Sequence, residues 1–254
     1  MLYARRPGMP LSQFVDRIWY CDGYRAVHRR ERVLANGTFQ LIVDLSSPIA
    51  VIGGIQSRHA VLDTAALSSI LGVLFRPGGA RQFFGPSDRF FNEQIALGDV
   101  WGQASVSLRD RLGAEATAEG KLRAMESELL RRLRSDVPAL HPAVDFALEA
   151  LRRAPHVARV QEITREAGLS RRRFGELFRE QVGSTPKLYC RLRRFQEVVR
   201  RAATGRDIDW ADLAVAGGYC DQAHLAHEFR DFSGLTPGEY AAADRPFANH
   251  VPIE

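Results

Sequence analysis

Between residues 170 and 187 the chain carries Arg171, Arg172, Arg173, Glu176, Arg179 and Lys187. A guanidinium presents a fork of donors that pairs bidentately with guanine or with phosphate, and an ammonium meets phosphate as a point charge. Some fifty residues further on stand Gln222, Ala223, His224 and His227. A glutamine amide can read adenine through two hydrogen bonds, and imidazoles near phosphate become donors as they titrate around pH 6.5. Cys220, His224 and His227 fall at i, i+4 and i+7, which would put a thiolate and two imidazoles on one helix face. Such a trio begins a zinc site, but no fourth ligand stands nearby in sequence. His28 and His59 are isolated. No paired carboxylates and no nucleophile with its base recur at a useful spacing, so the expectation is no enzyme, no catalytic residue, no metal and no cofactor.

The elements that must hold these side chains form an internal repeat. Ile163 and Gly168 match Leu213 and Gly218 at an offset of 50. Phe174, Phe178, Gly183, Thr185, Pro186 and Tyr189 match Leu225, Phe229, Gly234, Thr236, Pro237 and Tyr240 at an offset of 51, so the second copy has one extra residue. Each copy reads as a short apolar helix closed by glycine, a turn, and a second helix. Ser170 is a good N-cap for the first copy, whereas Cys220 is a weak one with Asp221 beside it. Burial of Phe174, Leu177 and Phe178, or of Leu225 and Phe229, leaves the opposite face of the second helix free to enter a major groove. The helix-turn-helix units are expected at about 158–181 and 208–231. Between them a long helix at about 186–204 keeps Leu188, Leu192, Phe195, Val198 and Val199 at helical spacing and acts as a rigid spacer.

Charge follows the repeat. Residues 152–206 hold 15 Lys+Arg against 5 Asp+Glu, and residues 207–254 hold 2 against 9, within a chain of net charge +5. A concentrated basic segment is the footprint of a polyanion partner. The first copy should therefore anchor the chain and the second tune selectivity.

The front of the chain has another period. Phe14 to Tyr24, and Leu41 and Val43 alternating with Gln40 and Asp44, read as half-buried strands, with further runs at 49–52, 59–63 and 69–76. Asn36-Gly37 stands where a tight hairpin turn would fall. Strands at this spacing suggest a small barrel or sandwich. Trp19, Tyr20, Tyr24 and Phe39 could line a ligand cavity or simply fill the core. Arg76, opening Arg76-Pro77-Gly78-Gly79-Ala80, could hold an anion or merely begin a strand-to-helix turn. From Asp99 the period is helical. Leu122, Met125, Leu129 and Leu133 share a face that could be a dimer seam or pack on the chain's own strands, and 135–142 reads as a linker.

At 141–243 the chain resembles the double helix-turn-helix DNA-binding domain of AraC/XylS-type bacterial transcription regulators. The resemblance rests on GSTPKLY (183–189), GLTPGEY (234–240) and GGYCDQAHLAHEF (217–229). Residues 1–112 more loosely resemble an uncharacterised sensor domain found ahead of such domains, through ERVLANG (31–37), GVLFRPGGARQFFG (72–85) and LGDVWG (97–102). The resemblance implies a one-component regulator and maps base-facing positions onto Arg172, Gly175 and Glu176. Gly175 departs from the pattern, having no side chain to read a base, and Glu176 can only accept, as from cytosine N4.

With 254 residues, 45% hydrophobic and 26% charged, the composition is that of a globular protein. No stretch approaches the roughly 18 apolar residues of a membrane span. MLYARRPGMPLSQF lacks an apolar secretory core, and Cys21, Cys190 and Cys220 are too few and too scattered for a disulfide framework, so a cytoplasmic protein is expected. The fold class expected is α+β, with a β-rich sensor domain at 1–112, a helix and linker at 113–140, and an all-α double helix-turn-helix domain at 141–246. The function expected is sequence-specific, ligand-responsive transcription regulation through two recognition helices in successive major grooves. Its partners would be double-stranded promoter DNA, a small-molecule effector, RNA polymerase for an activator, and a second copy if it dimerises. The competing readings are a small-molecule enzyme built on the front domain and an architectural DNA-binding protein.

Overall fold

The computed structural model describes residues 1–23, 28–64, 68–153, 160–166, 168–204, 208–245 and 247–253. Nine strands and eleven α-helices are assigned among them. In the front half these are β1 (Leu2–Arg5), β2 (Val15–Asp22), β3 (Arg30–Val33), β4 (Gln40–Asp44), β5 (Ala50–Gly53), β6 (Ala60–Asp63), β7 (Ser69–Phe75) and β8 (Gln94–Ala96), with helices α1 (Arg81–Phe84), α2 (Leu97–Trp101), α3 (Gln103–Ala114) and α4 (Ala118–Arg132).

Six strands form one antiparallel sheet in the order β1-β2-β7-β4-β5-β8. β1 and β8 remain edges, so of the two expected forms the sheet is open and sandwich-like, without barrel closure. The alternation read in the sequence holds. Ile18 and Tyr20, Leu41 and Val43, and Leu71, Val73 and Phe75 point to one face and are buried. That face is covered by α4, whose Leu122, Met125 and Leu129 join the same core. The apolar stripe thus packs on its own sheet, and each of its three buried side chains contributes about 1.5–3 kcal/mol.

The hairpin expected at Asn36-Gly37 does not form. β3 and β4 lie in different sheets, and β3 pairs with β6 on one side and with the C-terminal strand β9 (His250–Ile253) on the other. Residues 34–39 cross between the sheets instead, with Gly37 at φ +64° against Leu192. Gly37 takes a left-handed backbone without a hairpin, and the partners of β3 are β6 and the strand from the far end of the chain.

The second half contains α5 (Pro142–Arg153), α6 (Val160–Glu166), α7 (Arg171–Val182), α8 (Pro186–Ala202), α9 (Trp210–Ala216), α10 (Gln222–Ser233) and α11 (Pro237–Ala242). Ser170 and Asp221 cap α7 and α10 through their side-chain oxygens, to Arg173 N–H and His224 N–H. Thr185 and Thr236 cap α8 and α11 at equivalent repeat positions, each ahead of a first-turn proline. The cap of the second copy falls on Asp221 rather than Cys220, and this absorbs the extra residue. Phe174, Phe178, Leu192, Phe195, Val198, Val199, Leu225, Phe229 and Tyr240 form one core, which also takes in Leu34, Ala35 and Ile55 of the front half. The two halves therefore share apolar packing.

The linker is docked as well. Gly78, at φ +76°, lies under Leu140, and the Arg81 guanidinium donates to the carbonyls of Pro138 and Ala139.

Candidate nucleic-acid interface

The first turns of α7 face outward. Arg171, Arg172, Arg173 and Arg179 are exposed, Gly175 and Glu176 are half-buried, and Lys187 is exposed in the first turn of α8. Phe174, Leu177 and Phe178 face the core, as helical periodicity requires of the opposite side. The Arg172 side chain is 90% exposed and its Nε donates to Glu176 Oε1 at 2.9 Å. That hydrogen bond, with the nearby Arg173 and Arg179 charges, holds the Glu176 carboxyl below the usual carboxylate range. Glu176 is thus an anion on the outer face of α7, able to accept and not to donate. Arg171, Arg179 and Lys187 enter no ion pair among the described residues, which leaves their charges available to a polyanion.

On α10, Gln222, Ala223 and His227 are exposed, and Gln222 borders an open groove with Ile208, Asp209, Trp210 and Ala211. His224 is half-buried. Its ring stands edge-on to Tyr219 at 5.2 Å, so it serves the turn as much as the surface. His227 Nε2 lies 3.9 Å from Asp231. The repeat offset shows one residue the sequence reading passed over: Arg230, exposed on α10, occupies the position of Arg179. The counterpart of Lys187 is Gly238, and next to it Glu239 folds back onto Thr236 in a capping box. The second unit therefore presents fewer cations.

A second feature escaped the sequence. The counterpart of the core residue Leu177 is Glu228, only 2% exposed. It accepts from Arg191 Nε at 2.7 Å, from Tyr219 Oη at 2.9 Å and from Arg194 Nη2 at 3.4 Å. Arg191 also meets Asp231 at 3.1 Å. Two arginines of the basic segment are thereby spent on joining α8 to α10. Burial and the adjacent Glu228 carboxylate push the Tyr219 phenol far above its ordinary value.

Among the described residues no three His, Cys, Asp or Glu side chains converge in a metal-binding arrangement. The residues considered for a ligand cavity are dispersed. Tyr20 and Phe39 are buried in the inner core, where Phe39 packs against Phe75, Phe84 and Phe90. Trp19 lies on the opposite face of the sheet over Gly72, Arg76 is exposed, and Tyr24 lies outside the described residues. In the Arg76–Ala80 turn, Gly79 is pressed against the Phe14 carbonyl, where a Cβ would stand 2.1 Å away.

Two tandem helix-turn-helix units sharing one spacer helix, each with the first turn of its second helix exposed, define a DNA-binding protein with a β-rich domain in front. Residues 163–243 match the family of helix-turn-helix domains, and residues 3–96 match a domain of unknown function, DUF6597. The chain thus carries an AraC-type helix-turn-helix domain in its C-terminal part, behind a DUF6597 domain.

Among solved structures it is similar to ToxT from Vibrio cholerae, at 10% identity over 95% of this chain and 96% of that one, TM-score 0.45. It is also similar to the DNA-binding domain of the transcription factor AdpA in complex with a target DNA, at 27% identity over 40% of this chain and 90% of that one, TM-score 0.36. For the xylose-binding activator XylR the values are 20% identity, 48% and 37%, with TM-score 0.35. No curated protein matches the chain. No helix among the described residues is long and apolar enough to cross a membrane.

Proposed function

We propose that this DNA-binding regulator recognises a specific promoter sequence by placing the first turns of α7 and α10 in successive major grooves. The observation that carries the reading is the repeat itself: two capped helices with exposed reading turns are fixed on the same spacer, α8. In this reading Arg172 and Glu176 meet base edges, Arg171, Arg173, Arg179 and Lys187 grip phosphate, and Ser170 caps the helix that carries them. Gln222 leads the second unit, flanked by Ala223, His224 and His227. The first unit supplies most of the affinity, because its cations outnumber those of the second. We further place the protein in the cytoplasm, where its three free cysteines stay reduced. We take it to act by binding rather than catalysis.

The front domain would make this binding responsive to an effector, since it shares core and hydrogen bonds with the DNA-binding half. The inner face of its sheet is occupied by Phe39, Phe75, Phe84 and Phe90, so we look for the effector outside that core.

Sites selected from a random duplex pool by the full chain supply the test. Arg172→Ala should cost about 10- to 100-fold on the selected site and relax preference at one position, as loss of a bidentate base contact does. Arg171→Ala should weaken binding evenly across sequences and lower the salt slope by about 1. Gln222→Ala should change preference in the second half-site with little change in slope. If selection yields no common sequence, or if Gln222→Ala lowers the slope more than Arg171→Ala, the reading is wrong.

A further inference from the structure

We propose that the front domain is a two-pronged bracket that sets the separation and orientation of the two reading helices. The inference rests on the reading of α7 and α10 as a pair of groove binders. The last carbonyls of a helix have no partner within it and must be satisfied from outside. In this protein the front domain supplies donors to them, at matching repeat positions, in both copies.

At the end of α7 the backbone N–H of Ser87 donates to the Glu180 carbonyl at 2.8 Å, and the Ser87 hydroxyl donates to the Gln181 carbonyl at 3.2 Å. At the end of α10 the Ala35 N–H donates to the Phe232 carbonyl at 3.5 Å, and Arg32 Nη1 donates to the Gly234 carbonyl at 3.2 Å. Gln181 and Phe232 are the same position of the repeat.

Their left-handed C-cap glycines are also the same position, and both are pressed by the front domain. A Cβ on Gly183 would stand 3.1 Å from the Ser87 carbonyl, and one on Gly234 would stand 2.4 Å from the His59 ring.

The two prongs are joined to each other. The turn that follows Ser87 lies on Gly54, where a Cβ would fall 1.9 Å from the Phe90 carbonyl. Asn92 N–H donates to the Ile55 carbonyl, and Ile55 packs in the same cluster as Leu34 and Ala35. A third strut meets the spacer, because Gln196 Nε2 donates to the Ala35 carbonyl at 2.8 Å and to Asn249 Oδ1 at 2.9 Å.

The prongs hold the helices at their C-terminal ends, and the reading turns lie at the opposite ends, free. This arrangement does not block DNA. It fixes the distance between the two half-sites that the protein accepts. Ser87 and Arg32 are therefore positioning residues for recognition, acting through helices whose DNA-facing side chains they never touch.

The test uses the full chain and two DNA series built on a selected site. One series holds both half-sites at the selected spacing or with one base pair added or removed between them. The other holds the first half-site alone. Wild type should prefer the selected spacing over either shifted one. Ser87→Ala and Arg32→Ala should each lower that preference about fivefold, the worth of one side-chain hydrogen bond, and the double variant should lower it further. Affinity for the isolated half-site should stay unchanged, which shows that the variants are folded and can bind.

If wild type shows no spacing preference, the two-groove reading fails. If wild type discriminates and the double variant discriminates equally, or if the variants lose affinity equally for every duplex including the half-site, the bracket is refuted while the two-groove reading stands.

Discussion

Replacing Glu228 separates two accounts of how α10 is held. If shape alone mattered, Glu228→Leu would be neutral or stabilising, because the equivalent residue in the first unit is the buried Leu177. The geometry argues otherwise. Leucine would leave the Tyr219 hydroxyl without its acceptor and the Arg194 guanidinium, whose side chain is 19% exposed, with only the Gly218 carbonyl and no counter-charge. Removing one partner of a buried ion pair costs about 3–5 kcal/mol. Arg191 keeps Asp231 and is 33% exposed, so the lower half of that range applies, about 3 kcal/mol. Glu228→Gln retains a carbonyl that can accept from Tyr219 and loses only the charge, so about 1.5–2 kcal/mol is expected. Urea unfolding followed by helical circular dichroism measures both, with an unchanged m-value as the sign that only stability has moved. A Leu variant as stable as wild type, or less damaged than the Gln variant, would show that packing and not the Arg–Glu–Tyr network secures the second unit.

Two further outcomes are expected. Burial, helped by Arg32 and Arg58, lowers the His59 pKa below its ordinary 6.5. The unfolded chain then binds that proton more readily than the folded one, so stability is full above pH 6.5 and falls as pH drops below it; His59→Gln should flatten this acid limb of the stability–pH profile, and an unchanged limb refutes the assignment. Cys220 is exposed beside the reading turn of α10, whereas burial pushes the Cys190 thiol to about 11. An alkylating reagent should therefore modify Cys220 well before Cys190, and duplex carrying the selected site should slow only the first reaction; equal rates, or no protection by DNA, would contradict the placement of α10.

The chain's local periodicities carried most of the secondary structure. Period 2 at Leu41 and Val43, period 3.6 at Leu122, Met125 and Leu129, and the Ser170 cap are consequences of neighbouring residues alone, so they could be read directly. Asn36-Gly37 shows the limit. A hairpin turn was expected there, yet whether the flanking strands pair with each other depends on which edge is free, and β6 and β9 occupy both edges of β3. The ligand set dispersed for a related reason. Trp19 and Tyr20 are adjacent in sequence and so face opposite sides of the strand that carries both.

The sequence by itself therefore determined two helix-turn-helix units, the Ser170 cap, the spacer and the cations on the outer face of α7, because each is set within a few residues by helix geometry and capping. Only the tertiary structure decided that Glu228 is buried among arginines from another helix, that the last strand closes onto the third, and that Ser87 and Ala35 meet equivalent carbonyls of two helices. Those contacts join residues from 34 positions apart (Arg194 and Glu228) to 223 (Arg30 and Ile253). Chain connectivity says nothing about such pairs until the shared apolar core brings them within hydrogen-bonding distance.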